Sequence, residues 1–202
     1  LKGAWIVRMK KIKNFRKFGT DNNRVELVDA SSFRKTTKEG KINIAPITTL
    51  IVGKNNSGKT TVVKALEKLI NKKEFVANDF NYSYLKKLIN KYEDSCFEES
   101  PFLEFKLIIG IENKSGDLIT NLVPFMTLGD VDNSELEILV KYELKENEEF
   151  IKKCKEILKK CNKESNKDTK TECDLYSKFK KILDLIDISE FKVTYYSASN
   201  TE

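Results

Sequence analysis

The sequence predicts an α/β fold, a mixed sheet with helices packed against it, and three adjacent stretches carry that reading. Ile47-Thr48-Thr49-Leu50-Ile51-Val52 is β-branched and nearly all apolar, the pattern of a strand buried on both faces of a sheet. Gly53-Lys54-Asn55-Asn56-Ser57-Gly58-Lys59-Thr60 follows directly and matches G-x-x-x-x-G-K-[ST] in full. From Lys59 onward, Val62, Val63, Leu66, Leu69 and Ile70 recur at three- and four-residue spacing, which marks one face of an amphipathic helix of about three turns.

Strand, glycine loop and helix in this order define a P-loop NTPase core. Gly53 and Gly58 let the backbone turn tightly, so that successive N–H groups point into one concavity at the positive end of the following helix and bind phosphate oxygens there. Residues Gly53, Lys54, Asn55, Asn56, Ser57, Gly58, Lys59, Thr60 and Thr61 form the expected nucleotide site. Lys59 is the expected catalytic cation, reaching the β- and γ-phosphates, and the Thr60 hydroxyl is the expected ligand for Mg²⁺.

At 202 residues, with 40% apolar residues, the chain has enough material for one large domain or two small ones. No apolar run approaches the roughly 18 residues that cross a bilayer, and the N-terminus lacks the basic-then-apolar order of a signal peptide, so a cytoplasmic, membrane-free protein is expected. Cys96, Cys154, Cys161 and Cys173 fit neither paired zinc spacings nor a disulfide framework. Cys154 and Cys161, seven apart on a predicted helix, read as core thiols.

Charge is uneven. Residues 1–75 carry 18 basic against 6 acidic residues, 76–150 carry 7 against 16, 151–181 carry 11 against 5, and 182–202 carry 1 against 4. A basic N-terminal part around a phosphate loop suits anionic ligands and extends to DNA as a candidate partner. Lysine-, asparagine- and isoleucine-rich usage runs through the whole chain, however, and reads first as solvated faces.

In chain order, Trp5-Ile6-Val7 and Ile12 mark a strand, and Val25, Leu27 and Val28 a second, read together as an antiparallel pair. Tyr82, Leu85, Leu88, Ile89 and Tyr92 mark a helix, which Asp79 is placed to cap; the alternative for Asp79 is a position on the nucleotide side. Phe102 to Ile111 and Leu118 to Val123, around Lys114-Ser115-Gly116-Asp117, read as a β-hairpin, and Glu137 to Leu144 as another strand. Asp130-Val131-Asp132 has the spacing of a two-metal carboxylate site but sits between Gly129 and Asn133, which favours a surface turn. Glu148 to Cys161 and Leu175 to Ile186 are helical and Phe191 to Tyr196 extended. The expected organisation is a loop-bearing lobe over 1–146, an antiparallel helical pair over 147–187 as an insertion or the start of a helical arm, and a short strand and tail over 188–202.

A strand ending in Asn14-Phe15-Arg16, a second strand, then an apolar strand into Gly53-Lys54-Asn55-Asn56-Ser57-Gly58-Lys59-Thr60-Thr61 and a helix containing Ala65-Leu66 resembles the N-terminal lobe of ABC-type ATPases of the SMC, RecF and OLD-nuclease group. Asn55-Asn56-Ser57 looks most like the OLD-type and related AAA-like ATPases, several of which act in DNA repair or phage defence. The resemblance covers about residues 5–72. It implies ATP and Mg²⁺ as ligands, Arg16 near the bound nucleotide, and an ATP-dependent homodimer in the full-length protein.

ABC-type hydrolysis also uses a Mg²⁺-sensing Gln, a Ser-Gly-Gly signature, an apolar strand ending Asp-Glu and often a His. This chain has no Gln and no His, and Ile182-Leu183-Asp184-Leu185-Ile186-Asp187 fits a helix better than such a strand. Hydrolysis by this polypeptide alone is therefore expected to be slow, with the remaining parts in a C-terminal lobe beyond it; the alternative is a non-hydrolysing DNA-binding or dimerisation module. A GTPase is disfavoured by the absence of Asn-Lys-x-Asp. A small-molecule kinase is disfavoured because Arg8, Arg16, Arg24 and Arg34 all precede the loop, leaving no arginine for a later lid.

Overall fold

The structure is a computed structural model that describes residues 6–21, 51, 53–93, 97–110, 122–126, 135–165, 173–186 and 190–197. Its elements are β1 (Ile6–Lys13), α1 (Lys59–Ile70), a 3-10 turn (Ala77–Asp79), α2 (Tyr82–Lys91), β2 (Phe102–Gly110), a second 3-10 turn (Val123–Phe125), β3 (Glu135–Leu144), α3 (Asn147–Ser165), α4 (Cys173–Leu183) and β4 (Phe191–Ser197).

The four strands form one sheet in the order β1-β2-β3-β4, every pair antiparallel. Alternation sets which face is buried: Leu103 and Phe105 on β2 and Leu136, Ile138, Val140 and Tyr142 on β3 are all buried, as period-two patterning requires. On β1 the buried residues are Met9 and Ile12, three apart. A bulge between Met9 and Lys11 inserts one residue and returns Ile12 to the core face. Phe105 is enclosed by Phe15 and Phe75 at ring separations of 5.5 and 5.3 Å, and Tyr142 stacks on Phe191 at 4.8 Å, which ties β4 to the same core.

The helices pack through the stripes their spacing dictates, with shifts at the edges. On α1 the inward stripe is Val62, Ala65, Leu66 and Leu69, whereas Val63 and Ile70, expected on that face, are 49% and 63% exposed. One and eight residues beyond Val62 are rotations of about 100° and 80°, off the stripe. On α2, Tyr84 is buried and Tyr82 is exposed, its ring 4.4 Å from Phe179 of α4. Asn81, not Asp79, caps α2: its side chain accepts a hydrogen bond from the Tyr84 amide at 2.9 Å. The helices α3 and α4 pack on each other, with Phe150, Cys154 and Leu158 facing Phe179 and Ile182 in the shared core. Cys154 and Cys161 are both buried, as expected, and burial pushes the Cys154 thiol up to about 12.

Several expectations are corrected or fall elsewhere. No parallel pair exists among the described residues, so the sheet there is antiparallel rather than mixed. Of the strand expected over 47–52, only Ile51 is described, half-buried and in no regular element. The second N-terminal strand around 25–28 and the Asp130-Val131-Asp132 turn lie outside the described residues. Phe102–Gly110 is a strand, but its neighbours are β1 and β3, and Val123, the expected end of the hairpin's second arm, begins a 3-10 turn because Pro124 follows it. Among the described residues no helix is long and apolar enough to cross a membrane.

Truncating Phe105 to Ala should cost about 3–5 kcal/mol of folding stability, since its ring is fully enclosed by two aromatic neighbours. Denaturant midpoints of the wild-type and Phe105→Ala proteins check this.

Candidate nucleotide site

The glycine loop is closed by its own atoms. Lys59 Nζ donates to the Gly53 carbonyl at 2.6 Å and to the Lys54 carbonyl at 2.9 Å, and the Ser57 amide donates to the Lys54 carbonyl at 3.1 Å. Both glycines are required by geometry. A Cβ on Gly53 would stand 2.5 Å from Ser57 Oγ. Gly58 has φ 101°, in the left-handed region, and a Cβ there would also meet the Phe18 ring at 3.1 Å. Asn56, at φ 63°, supplies the remaining left-handed turn, which Asn tolerates better than most residues.

Helix α1 starts at Lys59. Its N-terminus has no side-chain cap and no acidic residue in the first turn, so its leading amides and the dipole's positive end face the loop without a competing anion. Lys54, Asn55, Asn56, Ser57 and Thr60 are exposed, and Gly58, Lys59 and Thr61 are half-buried. A loop cradle that a Cβ would fill, a cation seated between its carbonyls and an uncapped helix start together fit an anionic phosphate group. The Thr60 hydroxyl stands on the first turn of α1, next to Lys59, as a hard-cation ligand requires.

The segment after β1 is built onto this loop. Asn14 is fully buried at φ 63°. Its amide donates to the Gly19 carbonyl, its side-chain nitrogen to the Phe102 carbonyl at 3.2 Å, and its side-chain oxygen accepts from Thr20 at 3.1 Å. The turn so closed lays Phe18 and Lys17 against Gly58. Arg16, also left-handed at φ 47°, has its guanidinium on Asp79 rather than in the loop: Nε and one Nη each lie 2.8 Å from Asp79 Oδ1.

Asp79 is the residue whose role the sequence left between two readings, and its position matches neither. Its side chain is fully buried. Beyond Arg16, Oδ2 takes Lys68 Nζ of α1 at 2.7 Å and the Val76 amide at 2.9 Å. Burial pushes its pKa up, but the Lys68 hydrogen bond, the Val76 amide and Arg16 together outweigh burial and hold the carboxyl below the ordinary 3.8. Lys68 was invisible as a functional residue because it is one lysine of many on an amphipathic helix. In the fold it is only 14% exposed and also donates to the Glu74 carbonyl at 2.6 Å. Among the described residues no three His, Cys, Asp or Glu side chains gather at metal-binding distance.

Comparison with known proteins supplies the family: the AAA ATPase domain model matches residues 9–202, and the chain belongs to that family. It is 48% identical over 201 residues to Endonuclease GajA of Bacillus cereus (strain HuB5-5), a match taking in 94% of this chain and 28% of that relative. The chain thus spans under a third of the relative's length. The expected OLD-like AAA ATPase N-terminal lobe is borne out by these two findings. No solved structure matches the chain.

Because the folded-state pKa of Asp79 is depressed, its contribution to stability is fully present above the unfolded value near 3.8 and is lost as pH falls through the folded value. Urea midpoints measured from pH 6 downward should drop below about pH 4, and Asp79→Asn should flatten that drop while lowering the plateau. Replacing Gly58 with Val should cost at least about 1–2 kcal/mol, from φ strain alone, before the Phe18 clash is counted.

Proposed function

We propose that the chain is the ATP-binding N-terminal portion of an OLD-like ATPase acting in anti-phage defence or DNA repair, and that hydrolysis is completed by residues outside it. The observation that carries the reading is the glycine loop itself, with Gly58 left-handed, Lys59 seated on the Gly53 and Lys54 carbonyls, and α1 uncapped behind it. The match of the AAA ATPase domain to residues 9–202 supports ATP as the nucleotide.

In this reading the amides of residues 54–60 and the start of α1 bind the phosphates, and Lys59 neutralises charge at the β- and γ-positions. Thr60 holds Mg²⁺, which when bound screens the phosphate charge and orients the triphosphate. Lys17, presented next to Gly58, adds positive charge beside the loop, with Arg16 one residue before it paired to Asp79. Asp79, the buried carboxylate bonded to Arg16, is committed to Arg16 and Lys68 and is not available to orient a water. Slow turnover by these residues alone follows, and a second face that closes the site, supplied by further chain in a homodimer, accounts for the catalytic parts.

The relative is named an endonuclease, a nucleic-acid-cleaving class, and DNA is the proposed substrate of the whole protein, with the basic residues of 1–75 as its electrostatic counterpart. The second reading, a module that binds nucleotide as structural glue without turning it over, draws on the absence of Gln and His.

Calorimetric titration of the whole protein with ATP and GTP, each with Mg²⁺, tests the reading. Adenine-selective binding that weakens by about tenfold or more in Lys59→Ala is expected, since one charge-assisted phosphate contact is lost. A Lys59→Ala protein of unchanged affinity would sink the site assignment.

A further inference from the structure

We propose that Asp79 is a positioning residue of the nucleotide site: its buried carboxylate fixes the Arg16–Phe18 arm on the glycine loop, and recognition of the terminal phosphate of ATP depends on that arm. The proposal rests on the nucleotide-binding reading and assigns how one edge of that site is held.

Four contacts converge on one carboxylate. Oδ1 takes two N–H groups of Arg16, and Oδ2 takes Lys68 and the Val76 amide. The backbones are laced as well. The Arg16 amide donates to the Asp79 carbonyl at 2.7 Å, the Asn81 amide to the Asn14 carbonyl at 2.7 Å, and the Asn81 side chain to the Arg16 carbonyl at 2.6 Å. Phe15 and Phe80 form an isolated antiparallel bridge between these two lengths of chain. Arg16 keeps its left-handed φ of 47°, a conformation an ordinary residue adopts only at a cost, against this set of bonds.

The consequence for the loop is geometric. Two residues past Arg16, the Phe18 ring lies on the Gly58 face, and Lys17 runs alongside it. On the other side, Lys68 belongs to α1, the same helix whose first turn carries Lys59 and Thr60. One carboxylate therefore ties the arm, through Arg16, to the far end of the helix that leaves the loop, through Lys68. Asp79 spends two of the five guanidinium donors of Arg16, and the side chain remains 38% exposed, so its outer edge is left to meet an anion at a fixed place. A charged arm held in this way discriminates by charge at its own position. The triphosphate, which reaches furthest from the loop, gains more from it than the diphosphate.

Calorimetric affinities for ATP and ADP, each with Mg²⁺, in wild-type, Arg16→Ala, Asp79→Asn and double-mutant whole protein, together with melting temperatures, test the proposal. Asp79→Asn and Arg16→Ala should each lose about tenfold in ATP affinity while ADP affinity changes by less than about threefold, and the double variant should lose no more ATP affinity than either single change. A purely structural Asp79 would lower the melting temperature and weaken ATP and ADP equally, and that result overturns the proposal, as do additive losses in the double variant. Should Asp79→Asn fail to fold, Arg16→Lys takes its place: the charge stays while the paired contact to Oδ1 goes, and unchanged ATP preference in that variant overturns the proposal. Wild-type protein that binds neither nucleotide would instead overturn the nucleotide-binding reading on which the proposal stands.

Discussion

A single buried carboxylate, Asp79, is the constraint on which the arrangement around the glycine loop depends. An ionised carboxylate with no exposed surface is tolerated only where its desolvation is offset by partners, and here two cations and an amide provide that offset. Removing any one of them leaves charge in a dry place, which is why breaking such a centre is expected to be far more damaging than its net contribution to stability suggests. The partners come from the exit of β1, remote in sequence, and from the last turn of α1 and the start of the 3-10 turn, close by. Their meeting converts three local structures into one rigid support.

The loop is constrained differently, by space. Gly53 and Gly58 are dictated by where a Cβ would land, and Asn56 by its backbone angle, so the loop conformation is written into three residues before any ligand arrives. Lys59 then bridges the loop from within. Preorganisation of this sort lowers the ordering cost of binding, because the amides need not be gathered when the phosphate arrives. Phe15 belongs to the aromatic cluster with Phe75 and Phe105 in the core, while its neighbour Arg16 turns to Asp79.

Much of this was legible in the sequence, for physical reasons that differ by element. The glycine loop and α1 announce themselves through a steric motif and a periodic stripe, and α3, α4 and β4 through periodicity alone; all stand where the spacing puts them. The pairing of β1 with β2, about a hundred residues away, was not legible, because period-two alternation fixes a face and not a partner. Tyr84 was missed and Tyr82 favoured because both fit a helical stripe, and what buries Tyr84 is its long-range contact with Phe102 of β2. The Asp79 centre was half visible: the residue drew notice, but an Asp three positions before a helix reads as a cap, and Asn81 is the better-placed competitor for that role. Lys68 carried no signal, since a lysine that turns inward to a carboxylate looks in sequence like one that faces water.

The chain belongs to the AAA ATPase domain family, shares 48% identity with Endonuclease GajA, and holds its glycine loop through Gly53, Gly58 and Lys59. The most direct test is a crystal structure of the whole protein with a non-hydrolysable ATP analogue and Mg²⁺. The account predicts the triphosphate wrapped by the amides of residues 54–60, Lys59 on the β- and γ-phosphates, Thr60 on the metal, and Arg16 still paired with Asp79. A nucleotide bound away from Gly53–Thr60, or a loop left empty at saturating analogue, would contradict it.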